Sequence, residues 1–208
     1  MSIQSDVLSL RKNLSSCSWP SLYYSKIQNL IEATECKSFA EIGVAYGYHA
    51  IHILKNNPSI IYFGIDPYLP HYDRKDPFSR DVESLFPGDN PSDSMNRLYL
   101  AVQKELEDFP ERGNLLRASS LDAAEKFEDA SLDIVYVDAN HTYSQALADL
   151  EAWFPKIRSG GLLIGDDWDW PEVKKAVHTF IKRRGIEVNL LGSPDNDHIS
   201  FVLVSPKN

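Results

Sequence analysis

The chain is poor in cysteine, in positive charge and in long apolar runs, and each shortage removes a class of protein. Its two cysteines, Cys17 and Cys36, have neither metal nor redox spacing and suit a reducing compartment. Lys and Arg number 21 against 30 Asp and Glu, a formal net charge of -9. Nucleic-acid binding draws on clustered cations to displace counterions, so no nucleic-acid partner is expected. The one basic cluster, Lys174, Lys175, Lys182, Arg183 and Arg184, falls on and at the end of a predicted helix, where cations complement the negative end of its dipole. No apolar run approaches the length of a membrane span, and the opening Met1-Ser2-Ile3-Gln4-Ser5-Asp6 lacks the basic and apolar blocks of a signal peptide. The expected location is therefore cytoplasmic, with no membrane partner.

What is present is an ordinary globular composition, 43% hydrophobic and 25% charged, and 1–208 is expected to form a single domain. Helices are predicted around Val7 to Leu14 and Leu22 to Ala33, making 1–35 an N-terminal helical segment and a surface for a homodimer. Strands and helices then alternate: a strand at 38–42, a helix at about 47–56, and strands at Ile60 to Ile65, Asn114 to Arg117, Leu132 to Val137 and Gly161 to Gly165, with a helix from Tyr143 to Ile157 between the last two. Such continuous apolar strands bounded by amphipathic helices indicate an α/β architecture, a mainly parallel sheet covered on both faces. After a helix from Pro171 to Arg184, the runs Ile186 to Leu191 and Ile199 to Val204 read as an antiparallel hairpin. Five prolines between 67 and 93 exclude a long regular element there, while Tyr68, His71, Tyr72, Asp73 and Phe78 indicate a loop that folds over something. With a helix at Ser94 to Phe109, the stretch 67–110 reads as a lid or substrate insertion.

Phe39-Ala40-Glu41-Ile42-Gly43-Val44-Ala45-Tyr46-Gly47-Tyr48 ends a strand in an acid and opens a turn with small residues at alternate positions. Small residues let a ligand approach the backbone, and the amides at the following helix start supply donors to an anionic group. A dinucleotide turn, G-x-G-x-x-G, places its last glycine where this chain has Tyr48, so that fingerprint is not met. Asp66 lies 19 residues beyond Gly47, at the end of the next strand, where a carboxylate accepts ribose hydroxyls from several adenosine-bearing cofactors alike.

The turn resembles motif I of the class I S-adenosylmethionine-dependent methyltransferases, acid-x-G-x-G-x-G, with Glu41, Gly43 and Gly47 matching and Ala45 in place of the middle glycine. The turn survives that replacement if residue 45 needs no positive φ. The resemblance implies a Rossmann-like, doubly wound, seven-stranded sheet of order 3-2-1-4-5-7-6 with strand 7 antiparallel. It makes Glu41, Gly43, Ala45, Tyr46, Gly47, Asp66 and Asp138 candidates for cofactor contact, and it sets Ser119 and Ser120 beside the adenine. Either serine serves equally well as a helix cap.

Asp138 closes one strand and Asp166-Asp167 another. If those strands are neighbours, three carboxylates converge, and such a cluster repels itself unless a hard cation such as Mg²⁺ sits among its oxygens. Val137-Asp138-Ala139-Asn140-His141-Thr142-Tyr143 and the run from Asp149 to Trp168 resemble the methyltransferase-24 type, a branch with small-molecule and sugar O-methyltransferases. In its metal-dependent members these acids hold Mg²⁺, which implies Asp138, Asp166 and Asp167 as ligands. Some sugar-modifying members carry an acidic base two residues after the first ligand, where this chain has Asn140, an amide that cannot take up a proton. His141 is the next candidate base, with an ordinary pKa near 6.5. Its alternative role is local, bonding backbone ahead of a Thr142 cap and Gln145 capping box, as Asp169 with Glu172 could cap the Pro171 helix.

His141, Asp138 and Asn140 thus mark the candidate reacting centre, and the expected acceptor is a small molecule, a vicinal diol if a metal chelates it. Tyr46, Tyr68, His71, Trp168 and Trp170 are candidate walls. Two alternatives remain from sequence: a metal-independent methyltransferase with His141 as base, and a nucleotide-cofactor oxidoreductase or noncatalytic ligand-binding domain.

Overall fold

The computed structural model describes residues 27–73, 77–192 and 199–206. The first predicted helix, the start of the second, Cys17 and the tip of the C-terminal hairpin lie outside the described residues; residues 27–33 are helical.

The strands are β1 (Ser38–Ile42), β2 (Ile61–Ile65), β3 (Gly113–Leu116), β4 (Leu132–Val137), β5 (Ile157–Gly165), β6 (Val188–Leu191) and β7 (Ser200–Val204). They form one sheet in the order β3-β2-β1-β4-β5-β7-β6, parallel up to β5 and antiparallel at the β5–β7 and β7–β6 pairings. Both the order and the antiparallel β7 agree with the expectation. Successive side chains leave a strand on opposite faces, so Phe39, Ile134 and Ile164 enter one core with Ile27, Ile31, Ile53 and Leu98. Ala40, Val135 and Leu163 enter the other with Leu150, Trp153, Val177 and Phe180. Burial on both faces explains why these strands read as continuous apolar runs.

The helices are α1 (Tyr48–Asn56), α2 (Phe78–Leu85), α3 (Pro91–Leu106), α4 (Ser120–Ala124), α5 (Tyr143–Trp153) and α6 (Pro171–Arg184). Five departures from the sequence reading have local causes. First, the proline-rich stretch holds α2: Pro77 sits at its N-cap and Pro87 follows its end, so the prolines bracket the helix instead of excluding it. Second, α3 starts at Pro91 because the Asn90 side chain accepts from the Asp93 amide at 3.0 Å and proline suits the first helical position. Third, α5 stops at Trp153 in a 3₁₀ turn over Phe154–Lys156, and β5 begins at Ile157, earlier than expected. The last two concern caps. Neither Thr142 nor Trp170, the N-cap residues of α5 and α6, makes a side-chain cap bond, so neither proposed capping box forms. Gln145 donates instead to Asp149 (3.0 Å), and Glu172 accepts from the Tyr143 amide (3.2 Å), tying α6 to α5.

β1 is flanked by β2 and β4, and the helix that follows β1 covers one face of the sheet while the helix that follows β4 covers the other. That topological switch point opens a crevice at the carboxyl ends of the strands. Among the described residues no helix is long and apolar enough to cross a membrane.

Candidate active site

The turn after β1 is built by close approach. Gly43 has φ 92°, and a Cβ on it would lie 1.8 Å from the carbonyl oxygen of Asp138, so no side chain fits while the end of β4 keeps its place. Gly47, also at positive φ, is the N-cap of α1. Ala45 has φ 48°, in the left-handed region, so the condition set for it from sequence is not met. An L residue there costs about 1–2 kcal/mol. The Asp66 carboxylate holds it: one oxygen accepts from the Val44 and Ala45 amides at 3.0 Å each, and the other from the Tyr68 amide at 2.7 Å. The Tyr68 hydroxyl donates to the Ala45 carbonyl at 3.0 Å. Burial pushes the Asp66 pKa up against the pull of these three amides, and the net direction is upward.

Glu41, the acid that opens the motif, is buried beneath the turn, where it accepts from the Tyr62 hydroxyl and contacts His49 Nδ1 at 3.1 Å. Above the turn lies a cavity of about 430 Å³, lined by Glu41, Gly43, Ala45, Tyr46, Asp66, Tyr72, Ser120, Asp138, His141 and Asp166 among others. Of the two serines, Ser119 caps α4 through the Asp122 amide at 3.3 Å, and Ser120 lines the cavity. Trp153 Nε1 donates to the Ser120 hydroxyl at 2.9 Å. Asp149, wholly buried nearby, has its pKa pushed to about 6 by burial, against hydrogen bonds from Ser120 and Gln145.

Because β4 and β5 are neighbours, Asp138, Asp166 and Asp167 do meet at one end of the sheet. Burial, then Asp166 and Asp167, holds the Asp138 carboxyl well above the usual carboxylate range. Asp166 turns toward β7, accepting from the Ser200 hydroxyl at 3.3 Å, and after burial it is the next cause that raises the Tyr136 phenol. Among the described residues, the ligand atoms that gather within 4.8 Å of one another belong to Asp138, His141 and Asp167.

His141 is held on every side. Its Nδ1 lies 2.9 Å from Asp73 Oδ2, which also accepts from the His141 amide at 2.8 Å, and its Nε2 lies 2.7 Å from Asp167 Oδ2. The Trp170 ring stacks on it with centroids 4.2 Å apart. Burial lowers the imidazole pKa, but the bonds to Asp167 and Asp73 win and carry it to about 9. Asn140 anchors structure: its Nδ2 donates to the Tyr72 carbonyl (3.0 Å), while its Oδ1 accepts from the Thr142 amide (2.9 Å) and hydroxyl (2.7 Å). Residues 72 and 73 are thereby pinned against the β4–α5 loop. Asp73 is the site residue that sequence reasoning placed in the loop without a role; an acid among aromatic residues was its only signal.

A switch-point crevice, a glycine turn held by the acid of the next strand and an acid cluster at the end of β4 and β5 together define a class I methyltransferase scaffold. The family model Methyltransf_24, a methyltransferase domain, matches residues 40–168, and the chain belongs to that family. A protein of Staphylococcus aureus proposed to be a caffeoyl-CoA O-methyltransferase superposes with a TM-score of 0.63 at 17% identity, over 88% of this chain and 83% of that one. A proposed O-methyltransferase of Klebsiella pneumoniae gives 0.63 at 15% identity, over 99% and 90% of the two chains. These likenesses show the shared fold. Among curated proteins, the uncharacterized protein y4gI of Sinorhizobium fredii is 30% identical over 70 residues, which span 34% of this chain and only 8% of that protein.

Proposed function

We propose that the protein is an S-adenosylmethionine-dependent O-methyltransferase that acts on a hydroxyl of a small molecule or sugar with the help of a divalent cation. The observation that carries this reading is that the turn residues 43–46, Asp66 and Asp138 all line one cavity. The open backbone at Gly43 and Ala45 takes the cofactor's methionine part. Asp66, with three of about four lone-pair positions given to amides, keeps one for a ribose hydroxyl. Ser120 lines the adenine side, and Tyr72 shields the reacting centre from water.

The donor chemistry fits a cation. Asp138 accepts no hydrogen bond among the described residues, and burial with the two carboxylates after β5 raises its pKa, so three carboxylates share the one positive group His141 provides. A bound divalent ion supplies Lewis acidity that lowers the acceptor hydroxyl's pKa and fixes its direction. In the transfer itself the acceptor oxygen forms a bond to the methyl carbon as the carbon–sulfur bond breaks, its electron pair staying on sulfur, and the hydroxyl proton passes to solvent water. Positioning the two reactants in line is the main work of the protein.

A second reading has its own support. The His141 imidazolium between Asp73 and Asp167 offsets carboxylate charge by itself, which supports a metal-independent transfer; held at a pKa of about 9, it acts as the base only in the fraction that has given up its proton. Calorimetric titration with S-adenosylhomocysteine, with and without Mg²⁺, tests both. Binding is expected, and its absence in every condition overturns the methyltransferase reading. Methyl transfer that survives chelation selects the second. A cytoplasmic location and a homodimer belong to the same proposal.

A further inference from the structure

We propose that His141 is itself a ligand of the cation, together with Asp138 and Asp167, and that Asp73 is the positioning residue that aims it. This rests on the cation-assisted reading above. The all-oxygen set of Asp138, Asp166 and Asp167 is not the set whose ligand atoms gather: Asp166 faces Ser200 and Tyr136, and the gathered atoms include an imidazole nitrogen.

The imidazole is prepared for that role. One oxygen of Asp73 lies against both the His141 amide and Nδ1, and Trp170 stacks on the ring, so the ring plane is fixed from behind. A carboxylate on the far nitrogen is the arrangement that orients metal-bound histidines and raises their basicity. It leaves Nε2 directed at Asp167, 2.7 Å away. A basic nitrogen and a carboxylate at that separation need something positive between them, either a proton or a cation. The third member, the Asp138 carboxylate, accepts no hydrogen bond among the described residues. All three ligand atoms fall within 4.8 Å, close to the roughly 4.2 Å across which a cation with bonds of about 2.1 Å reaches.

Two consequences separate this from a magnesium site. One nitrogen donor moves the preference from Mg²⁺ toward the borderline transition ions, for which imidazole is the better ligand. Asp73 also shares its segment with Tyr72, which lines the cavity, so metal loading is coupled to seating of the chain that closes the acceptor side.

The test is a titration of the full chain with Co²⁺, read by its visible d–d absorption, with Mg²⁺ affinity by competition and S-adenosylhomocysteine calorimetry alongside. Expected are Co²⁺ binding about ten-fold or more tighter than Mg²⁺, loss of at least that factor with a changed spectrum in His141→Ala, and a loss of about 10- to 100-fold in Asp73→Asn. Asp166→Asn should leave Co²⁺ affinity within about two-fold, and retained binding of S-adenosylhomocysteine certifies that each variant is folded. An unchanged Co²⁺ affinity and spectrum in folded His141→Ala overturns the proposal. So does a wild-type preference for Mg²⁺, or loss of the cation from Asp166→Asn alone. Wild-type protein that binds S-adenosylhomocysteine but neither cation sinks this proposal and leaves the methyltransferase reading standing. Protein that binds Co²⁺ through His141 but not S-adenosylhomocysteine does the reverse.

Discussion

Asp66 and Asp138 close the two strands that flank β1, and burial raises the pKa of both, yet they are opposites in what surrounds them. Asp66 is held by backbone: three amides from two chain segments converge on its oxygens, and with them it shapes the turn. Asp138 takes no such bonds and faces other carboxylates. A buried acid that organises its neighbours is a structural element. One left among like charges, with His141 the positive group that acts on it, is prepared for a further positive partner.

Four measurements break or sharpen that contrast. The largest effect is expected for Asp66→Ala, which leaves the amides of Val44, Ala45 and Tyr68 without an acceptor. A loss of roughly 3–5 kcal/mol in chemical denaturation is expected, whereas Asp138→Ala in chelator-treated protein should melt at the wild-type temperature or above it. Equal losses in the two variants would erase the distinction. Next, Gly43→Ala drives a Cβ into the Asp138 carbonyl and forces an L residue to φ 92°. It should cost about 3 kcal/mol and abolish S-adenosylhomocysteine binding; a variant that binds normally contradicts the close approach.

Third comes pH. The pKa of His141 is raised in the fold from 6.5 to about 9, so the folded state holds its proton more tightly than the unfolded chain does. The stabilisation is complete below about pH 6.5 and lost as pH rises through about 9. Cation-free wild type should therefore lose on the order of 2 kcal/mol across that interval. His141→Ala should lack this slope in urea melts at stepped pH. Smallest is Ala45→Gly, which relieves the positive φ while loosening the unfolded chain, for a net gain of up to about 1 kcal/mol. A net destabilisation would mean that the alanine methyl is packed usefully in the turn.

The cofactor half of the site was legible because its code is local. Glycine and alanine at 43, 45 and 47 mark a turn, and an acid at the end of the next apolar run marks its partner. The acceptor half was legible only in part: acids at two strand ends announced their convergence, but not the partners of His141. Asp73 and His141 are 68 positions apart, in a loop without period, and nothing in either segment announces their contact. Asp166 was read as a ligand; its hydrogen bond from Ser200 was not legible, because only the antiparallel return of β7 brings that serine near. The capping boxes failed for a similar reason: Thr142 and Gln145 fit the pattern, yet Asn140, Glu172 and Asp149 compete for their groups and win. Prolines 77 and 87 concealed α2 because they permit a helix between them while excluding one through them.

The amides of Val44 and Ala45 reach an acceptor that follows them by 22 and 21 residues, and the Gly43 amide likewise donates to the Ile65 carbonyl at 2.9 Å. The cradle therefore has no finished shape while β1 and α1 stand alone. As the chain leaves the ribosome, the turn can reach its final geometry only after β2 has emerged and docked. In the mature protein, hydrogen exchange at Val44 and Ala45 should report the opening of the whole β1–α1–β2 unit and not a fluctuation of the turn.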